Sequence, residues 1–198
     1  MSAAAAAAPS TSIDFKTQNG EFVRSNTEFH DFVTRDGSSG FKAEAGRYHL
    51  YVSHACPWAH RTVILRALKG LEKAISLTVV HHFLSAEGWS FVKDGSVAGC
   101  EPDPVLNASY LKELYLLANP NYVGRITVPA LYDKKTNKIV NNESSEIIRM
   151  LNSEFNEFGE TEEQRKVKEI LFCCCLCLVQ NLAIRVLVFH SSTCTLRI

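Results

Sequence analysis

Cys56 is followed at once by Pro57 and Trp58, and the chain around it, residues 47–83, reads RYHLYVSHACPWAHRTVILRALKGLEKAISLTVVHHF. Cysteine acts as a nucleophile in its thiolate form, and a helix N-terminus favours that anion through its unpaired N–H groups and the positive end of its dipole. Pro57 suits the first helical position, because its missing N–H would lack a partner there and its φ is preset. Cys56 is therefore expected at the start of a helix, with His60 and Arg61 in the first turn adding to the same field. The residue three after Cys56 is Ala59, so no second thiol of a dithiol motif is present. A mixed disulfide at Cys56 then has to be resolved by an external thiol. The competing reading, a buried and inert cysteine, is outweighed by the strand, Cys-Pro and helix order.

That order requires elements to hold it. Residues 48–52 and 77–80 are rich in β-branched and aromatic residues, while Val63, Ile64, Ala67, Leu68 and Leu71 recur at helical spacing between them, predicting a βαβ unit. Residues 84–107 form an insertion too long for a routine connection, with Trp89 inside it. Residues 106–118 read as a helix with Leu106, Tyr110, Leu114 and Leu117 or Ala118 on one face. Residues 127–132 read as a strand, KKTNK as a turn, and 138–140 as its hairpin partner. Asn142 is the expected N-cap of a helix running through Phe155, which buries Ile147, Ile148, Leu151 and Phe155. Glu143 and Ser144 fall in its first turn, where such residues ordinarily cap the helix and complement its dipole. The sum is an α/β domain, βαβαββα, over residues 47–158.

Twenty-one basic and twenty-one acidic residues balance across 198 residues. With no cationic block to meet phosphates, a nucleic-acid partner is not expected. Seven unevenly spread cysteines, five of them after Phe172, argue against a secreted disulfide framework and for a reducing compartment, the cytoplasm, with a plastid as the alternative. Residues 1–12 are an alanine-rich, low-complexity tail, expected to be disordered, without the pattern of a secretory or transit signal. Residues 13–46 are a polar arm carrying Phe15, Phe22, Phe29, Phe32 and Phe41, expected to wrap on the domain. Residues 159–198 form an atypical tail whose apolar run ILFCCCLCLV, residues 170–179, is too short for a membrane span. Its CCC-x-C pattern lacks the separated pairs of a zinc site, so no metal is expected.

The segment SHACPWAHRT resembles the active-site segment of the glutathionyl-hydroquinone reductases, the Xi class of glutathione transferases. EGWSF at residues 87–91, RITVPALYD at 125–133 and IVNNESSEIIRMLN at 139–152 resemble that family in the same order, and the likeness covers residues 13–158. It implies a thioredoxin-like fold with glutathione as co-substrate and glutathionyl-quinones as small-molecule partners. It further implies that Cys56 is catalytic, with Pro57 and Arg61 in support, and that Trp89 packs on glutathione. Val128 before a cis Pro129 would offer its backbone to the peptide, Glu143 and Ser144 would take the γ-glutamyl end, and Arg125 would hold an anionic part. In the family an all-helical domain follows, carrying the quinone-pocket tyrosines and much of the homodimer contact. This chain does not continue into it and reads as a truncated or alternatively spliced product. Two further readings are a general glutathione thiol transferase, acting on dehydroascorbate or small mixed disulfides, and an inactive product that binds glutathione or a full-length subunit.

Overall fold

The computed structural model describes residues 17–18, 21–22 and 27–166. The expected disorder of residues 1–12 and the apolar run at 170–179 lie outside the described residues. Four strands and three helices follow in the predicted order: β1 Tyr48–Val52, α1 Pro57–Leu68, β2 Ile75–Val79, α2 Leu111–Ala118, β3 Ala130–Asp133, β4 Lys138–Asn141 and α3 Ser144–Ser153. A 3-10 turn at Asn156–Phe158 and a short α4, Glu162–Lys166, come after. The sheet order is β2-β1-β3-β4. β1 runs parallel to β2, Tyr48 opposite Ile75, and antiparallel to β3, Tyr48 opposite Asp133. The βαβ crossover and the closing hairpin make this the thioredoxin-like α/β fold.

β1 is central and buried along its whole length. One of its residues, His49, is passed over by sequence patterning: it is 1% exposed, with Nδ1 2.7 Å from Ser76 Oγ and Nε2 3.0 Å from Thr78 Oγ1. Burial, with the nearby Lys134 cation, pushes its pKa down to about 4. The folded state therefore holds a neutral imidazole, whereas an unfolded histidine takes up a proton near pH 6.5. Below that pH the unfolded chain binds more protons, so stability falls as pH drops from about 6.5 to about 4, by about 3 kcal/mol from this residue. Urea titrations across that window should show His49→Gln losing less stability per pH unit than the parent. Equal slopes would refute the assignment.

Several boundaries differ from the sequence expectation, each for a local reason. α1 buries Ala59, Thr62 and Leu65 and turns Ile64 and Leu68 outward, so the apolar spacing 63, 64, 67, 68 marks the wrong face. On that inner face Thr62 Oγ1 donates to Ala59 O, so its hydroxyl is satisfied within the helix. α2 begins at Leu111 rather than 106, because Asp103 captures the N–H groups of Val105, Leu106 and Ala108 and takes the Tyr51 hydroxyl at 2.8 Å. Asn107 then has φ +54°, which a helix does not accept. Glu113 reaches back to the N–H groups of Ser109 and Tyr110 and caps the helix that does form. β3 starts at Ala130, not 127: Thr127 bonds to Tyr115 and Asn142 instead of a neighbouring strand, and the Val128-Pro129 peptide that follows is cis. α3 ends at Ser153, although Phe155 stays fully buried as expected.

Candidate functional site

Cys56 occupies the residue before α1, in extended conformation, and Pro57 follows as the first helical residue. The loop that delivers it is closed by Cys56 N–H donating to Ser53 O at 3.1 Å and by Ala55 N–H donating to Ser53 Oγ. The thiol is half-buried, and Sγ lies 3.5 Å from the carbonyl oxygen of Val128. The sulfur thus sits against the cis Val128-Pro129 turn that leads into β3.

Val128 is held from behind. Tyr115 of α2 donates its hydroxyl to Thr127 O at 2.7 Å, and Asn142 Nδ2 lies 3.3 Å from that hydroxyl and 3.2 Å from Thr127 Oγ1. Asn142 also exchanges hydrogen bonds with the backbone of Phe29 in the arm. Phe29 in turn packs its ring on Tyr115 and Tyr122. This network corrects the sequence expectation for Asn142: its side chain is spent joining arm, α2 and the cis-proline turn, and the N-cap of α3 is Glu143. Short polar residues favour both roles, so the sequence alone does not separate them.

Glu143 accepts from Ser145 N–H at 3.2 Å and from the Ser145 hydroxyl at 3.3 Å, both through Oε1. Ser144, the first residue of α3, is buried. Its hydroxyl oxygen receives Nε and Nη2 of Arg61 at 3.1 and 2.5 Å, and Arg61 Nη2 lies 3.6 Å from Glu143 Oε1. Arg61 was expected to act beside the thiol; these contacts take it across from α1 to the start of α3. No spacing rule finds a pair separated by eighty-three residues. The Cys56 turn, the Val128 turn and the Glu143-Ser144 helix start are thus joined, by Cys56 Sγ on one side and Arg61 on the other.

Arg125 and Trp89 are placed less directly. The carbonyl of Arg125 accepts the Tyr122 hydroxyl at 2.8 Å, while its guanidinium makes no hydrogen bond or ion pair among the described residues. Trp89 is half-buried in the 84–107 insertion, its carbonyl accepting Leu111 N–H at 2.9 Å. Among the described residues no hydrogen bond or ring contact joins its indole to Cys56, Val128 or Glu143. Cys100 lies in the same insertion with its thiol 3.4 Å from Val80 O.

The arrangement offers a half-buried thiol at a helix start, the buried Val128-Pro129 turn beside it, and a helix N-terminus flanked by one carboxylate and one guanidinium. That set suits a thiol peptide with a zwitterionic end. Among the described residues no three His, Cys, Asp or Glu side chains gather as a metal site, and no helix is long and apolar enough to cross a membrane.

Residues 55–154 match the family model described as glutathione S-transferase, N-terminal domain. The chain is 50% identical over 154 residues to glutathione S-transferase omega-like 2 of Schizosaccharomyces pombe, covering 78% of this chain and 48% of that protein. It is 50% identical over 152 residues to glutathionyl-hydroquinone reductase YqjG of Escherichia coli, covering 74% of this chain and 46% of that one. Among solved structures, the glutathione S-transferase Xi of Phanerochaete chrysosporium superposes with a TM-score of 0.72 at 48% identity, covering 77% of this chain and 48% of that one. The glutathione-bound YqjG structure superposes with a TM-score of 0.64 at 50% identity, covering 67% and 44%. The chain spans about half the length of the curated relatives it matches.

Proposed function

Because the chain belongs to the glutathione S-transferase family, in its Xi class, we propose that it carries the glutathione site and the nucleophile of a glutathionyl-hydroquinone reductase. The observation behind this reading is the half-buried Cys56 sulfur at the start of α1, 3.5 Å from the Val128 carbonyl, with Arg61 linking its helix to Glu143 and Ser144.

The Cys56 thiolate attacks the sulfur of a glutathionyl-hydroquinone. A sulfur–sulfur bond forms as the carbon–sulfur bond breaks, and the aryl carbon leaves with the electron pair and takes a proton. Hydroquinone is released and Cys56 is left in a mixed disulfide with glutathione. The thiolate of a second glutathione attacks the glutathione sulfur of that disulfide, releasing glutathione disulfide and restoring the Cys56 thiolate. The carbon gains two electrons and two glutathione sulfurs lose them, so no metal or further reductant enters. Val128 pairs its backbone with the tripeptide as an added strand would, and Pro129 sets that turn. Pro57 starts the helix at the sulfur, Trp89 packs on the peptide, and Arg125 holds an anionic group of it. Glu143 and Ser144 take the γ-glutamyl end. The chemistry belongs in a reducing compartment, the cytoplasm.

The test is turnover of glutathionyl-menadione by the full 198-residue chain with glutathione in excess. The expected result is release of one menadiol for each glutathione disulfide formed. A folded chain that binds glutathione and releases neither product overturns the reductase reading and leaves a glutathione-binding module. Faster turnover of dehydroascorbate or a small mixed disulfide replaces it with a general thiol transferase.

A further inference from the structure

Arg61 stands five residues after Cys56 and belongs to the helix that carries the sulfur, yet its side chain, 10% exposed, is committed to the other half of the site. Two of its N–H groups meet one oxygen, Ser144 Oγ, at 3.1 and 2.5 Å. The guanidinium also lies over the ring of Trp58, with Cζ 5.2 Å from the centroid, a contact in which cation and aromatic face attract. A hydroxyl has two lone pairs and one proton. With both Arg61 N–H groups directed at its oxygen, Ser144 acts through its proton alone, which here goes to Glu143 Oε1 at 3.5 Å, a long bond that a closer ligand acceptor replaces.

Glu143 shows the complementary asymmetry. Its bonds to Ser144, to Ser145 N–H and to the Ser145 hydroxyl, and its ion pair with Arg61, all fall on Oε1. Oε2 makes no hydrogen bond or ion pair among the described residues. The same helix start therefore presents a hydroxyl restricted to donating beside a carboxylate oxygen restricted to accepting.

We propose that Arg61 is a positioning residue that sets this polarity, so that Ser144 meets the α-carboxylate and Glu143 Oε2 the α-ammonium of a γ-glutamyl thiol peptide. This rests on the glutathione reading above and adds to it the residue that makes the helix start selective for an amino-acid zwitterion. Arg61 does this without touching the reacting sulfur. It also couples the two halves, because the sulfur's own helix supplies the cation that orders the head-group site. Lysine cannot substitute: a point ammonium has no planar fork to fill both lone pairs of one oxygen.

Equilibrium binding by the full chain, followed by calorimetry, tests this with three ligands: glutathione, 4-aminobutyryl-cysteinylglycine, which lacks the α-carboxylate, and glutaryl-cysteinylglycine, which lacks the α-ammonium. The parent is expected to bind each analogue about tenfold or more weaker than glutathione, as for loss of a charge-assisted hydrogen bond. In Arg61→Gln the penalty for removing the carboxylate is expected to shrink to about threefold or less, with the ammonium penalty retained through Glu143. Arg61→Lys, chosen in case the glutamine variant fails to fold, is expected to give the same selective loss. A parent that binds all three ligands alike overturns the head-group reading itself. A parent that discriminates, with Arg61 variants that discriminate equally against the missing carboxylate, overturns the role given to Arg61 and leaves the glutathione reading standing.

Discussion

Cys56→Ser should give a folded chain that still binds glutathione and releases hydroquinone no faster than the uncatalysed background, a loss of roughly 10³-fold or more. Serine is nearly the same size as cysteine, and it is a favoured residue at a helix N-cap. It can donate to the Val128 carbonyl that Cys56 Sγ now meets at 3.5 Å, so thermal stability should hold or rise slightly. What it cannot do is form a mixed disulfide. Mass spectrometry after exposure to glutathionyl-menadione should show one glutathione adduct on the parent, mapped to Cys56, and none at residue 56 of the variant. Cys100→Ser is the matched control, since that thiol lies in the 84–107 insertion with its hydrogen bond to Val80 O; it should leave turnover within about twofold. Retention of a tenth or more of the parent's turnover by Cys56→Ser would sink the covalent mechanism.

The second large effect concerns stability, at the end of the sheet away from the sulfur. Arg47 donates Nε to Asp133 Oδ1 at 2.9 Å and Nη2 to Oδ2 at 2.7 Å, and Asp133 is completely buried. The pair ties the residue before β1 to the last residue of β3, and so pins the register in which Tyr48 faces Asp133. Burial alone would raise the Asp133 carboxyl. The hydrogen bonds from Arg47, Thr136 and Lys135 N–H outweigh it and hold the carboxyl below the usual carboxylate range. Arg47→Met strands the Asp133 carboxylate in the interior, while Asp133→Leu leaves the buried guanidinium, among the described residues, only the ion pair with the part-exposed Glu44, 3.0 Å from Nη1. Asp133→Leu or Arg47→Met alone should therefore cost about 3–5 kcal/mol, or a fall in Tm of roughly 10 °C in a chain this long. The double variant Arg47→Met, Asp133→Leu should cost clearly less than the sum, because both buried charges leave together and only the part-exposed Glu44 loses an ion partner. With the native pKa lowered, the pair's contribution is full above about pH 4 and drains as pH falls through the folded value. Additive single and double variants in urea denaturation would show that the two groups are not coupled.

How far the sequence reached is clearest from particular residues. Cys56, Pro57 and the strands around them were legible because each depends on local rules: β-branched runs for strands, helical spacing for α1, and a proline whose preset φ opens a helix. The buried face of α3 was read for the same reason, since Ile147, Ile148, Leu151 and Phe155 must share one side wherever the helix packs. Periodicity cannot say which side of a helix faces the sheet when both are apolar: the spacing of Val63, Ile64, Ala67 and Leu68 marks a face of α1 that the fold turns outward. Nor can it see competition for a polar side chain. Asn142 has the chemistry of a cap, but Tyr115, Thr127 and Phe29 reach it first, and Asp103 ends a helical reading by capturing three backbone N–H groups. Local pattern accounts for the order of elements, the placement of one thiol at a helix start, and the likeness that suggested glutathione. Folding was needed to bring Arg61 onto Ser144 across eighty-three residues and to bury Arg47 against Asp133. Such contacts depend on how the strands cross rather than on which residues are neighbours in the chain.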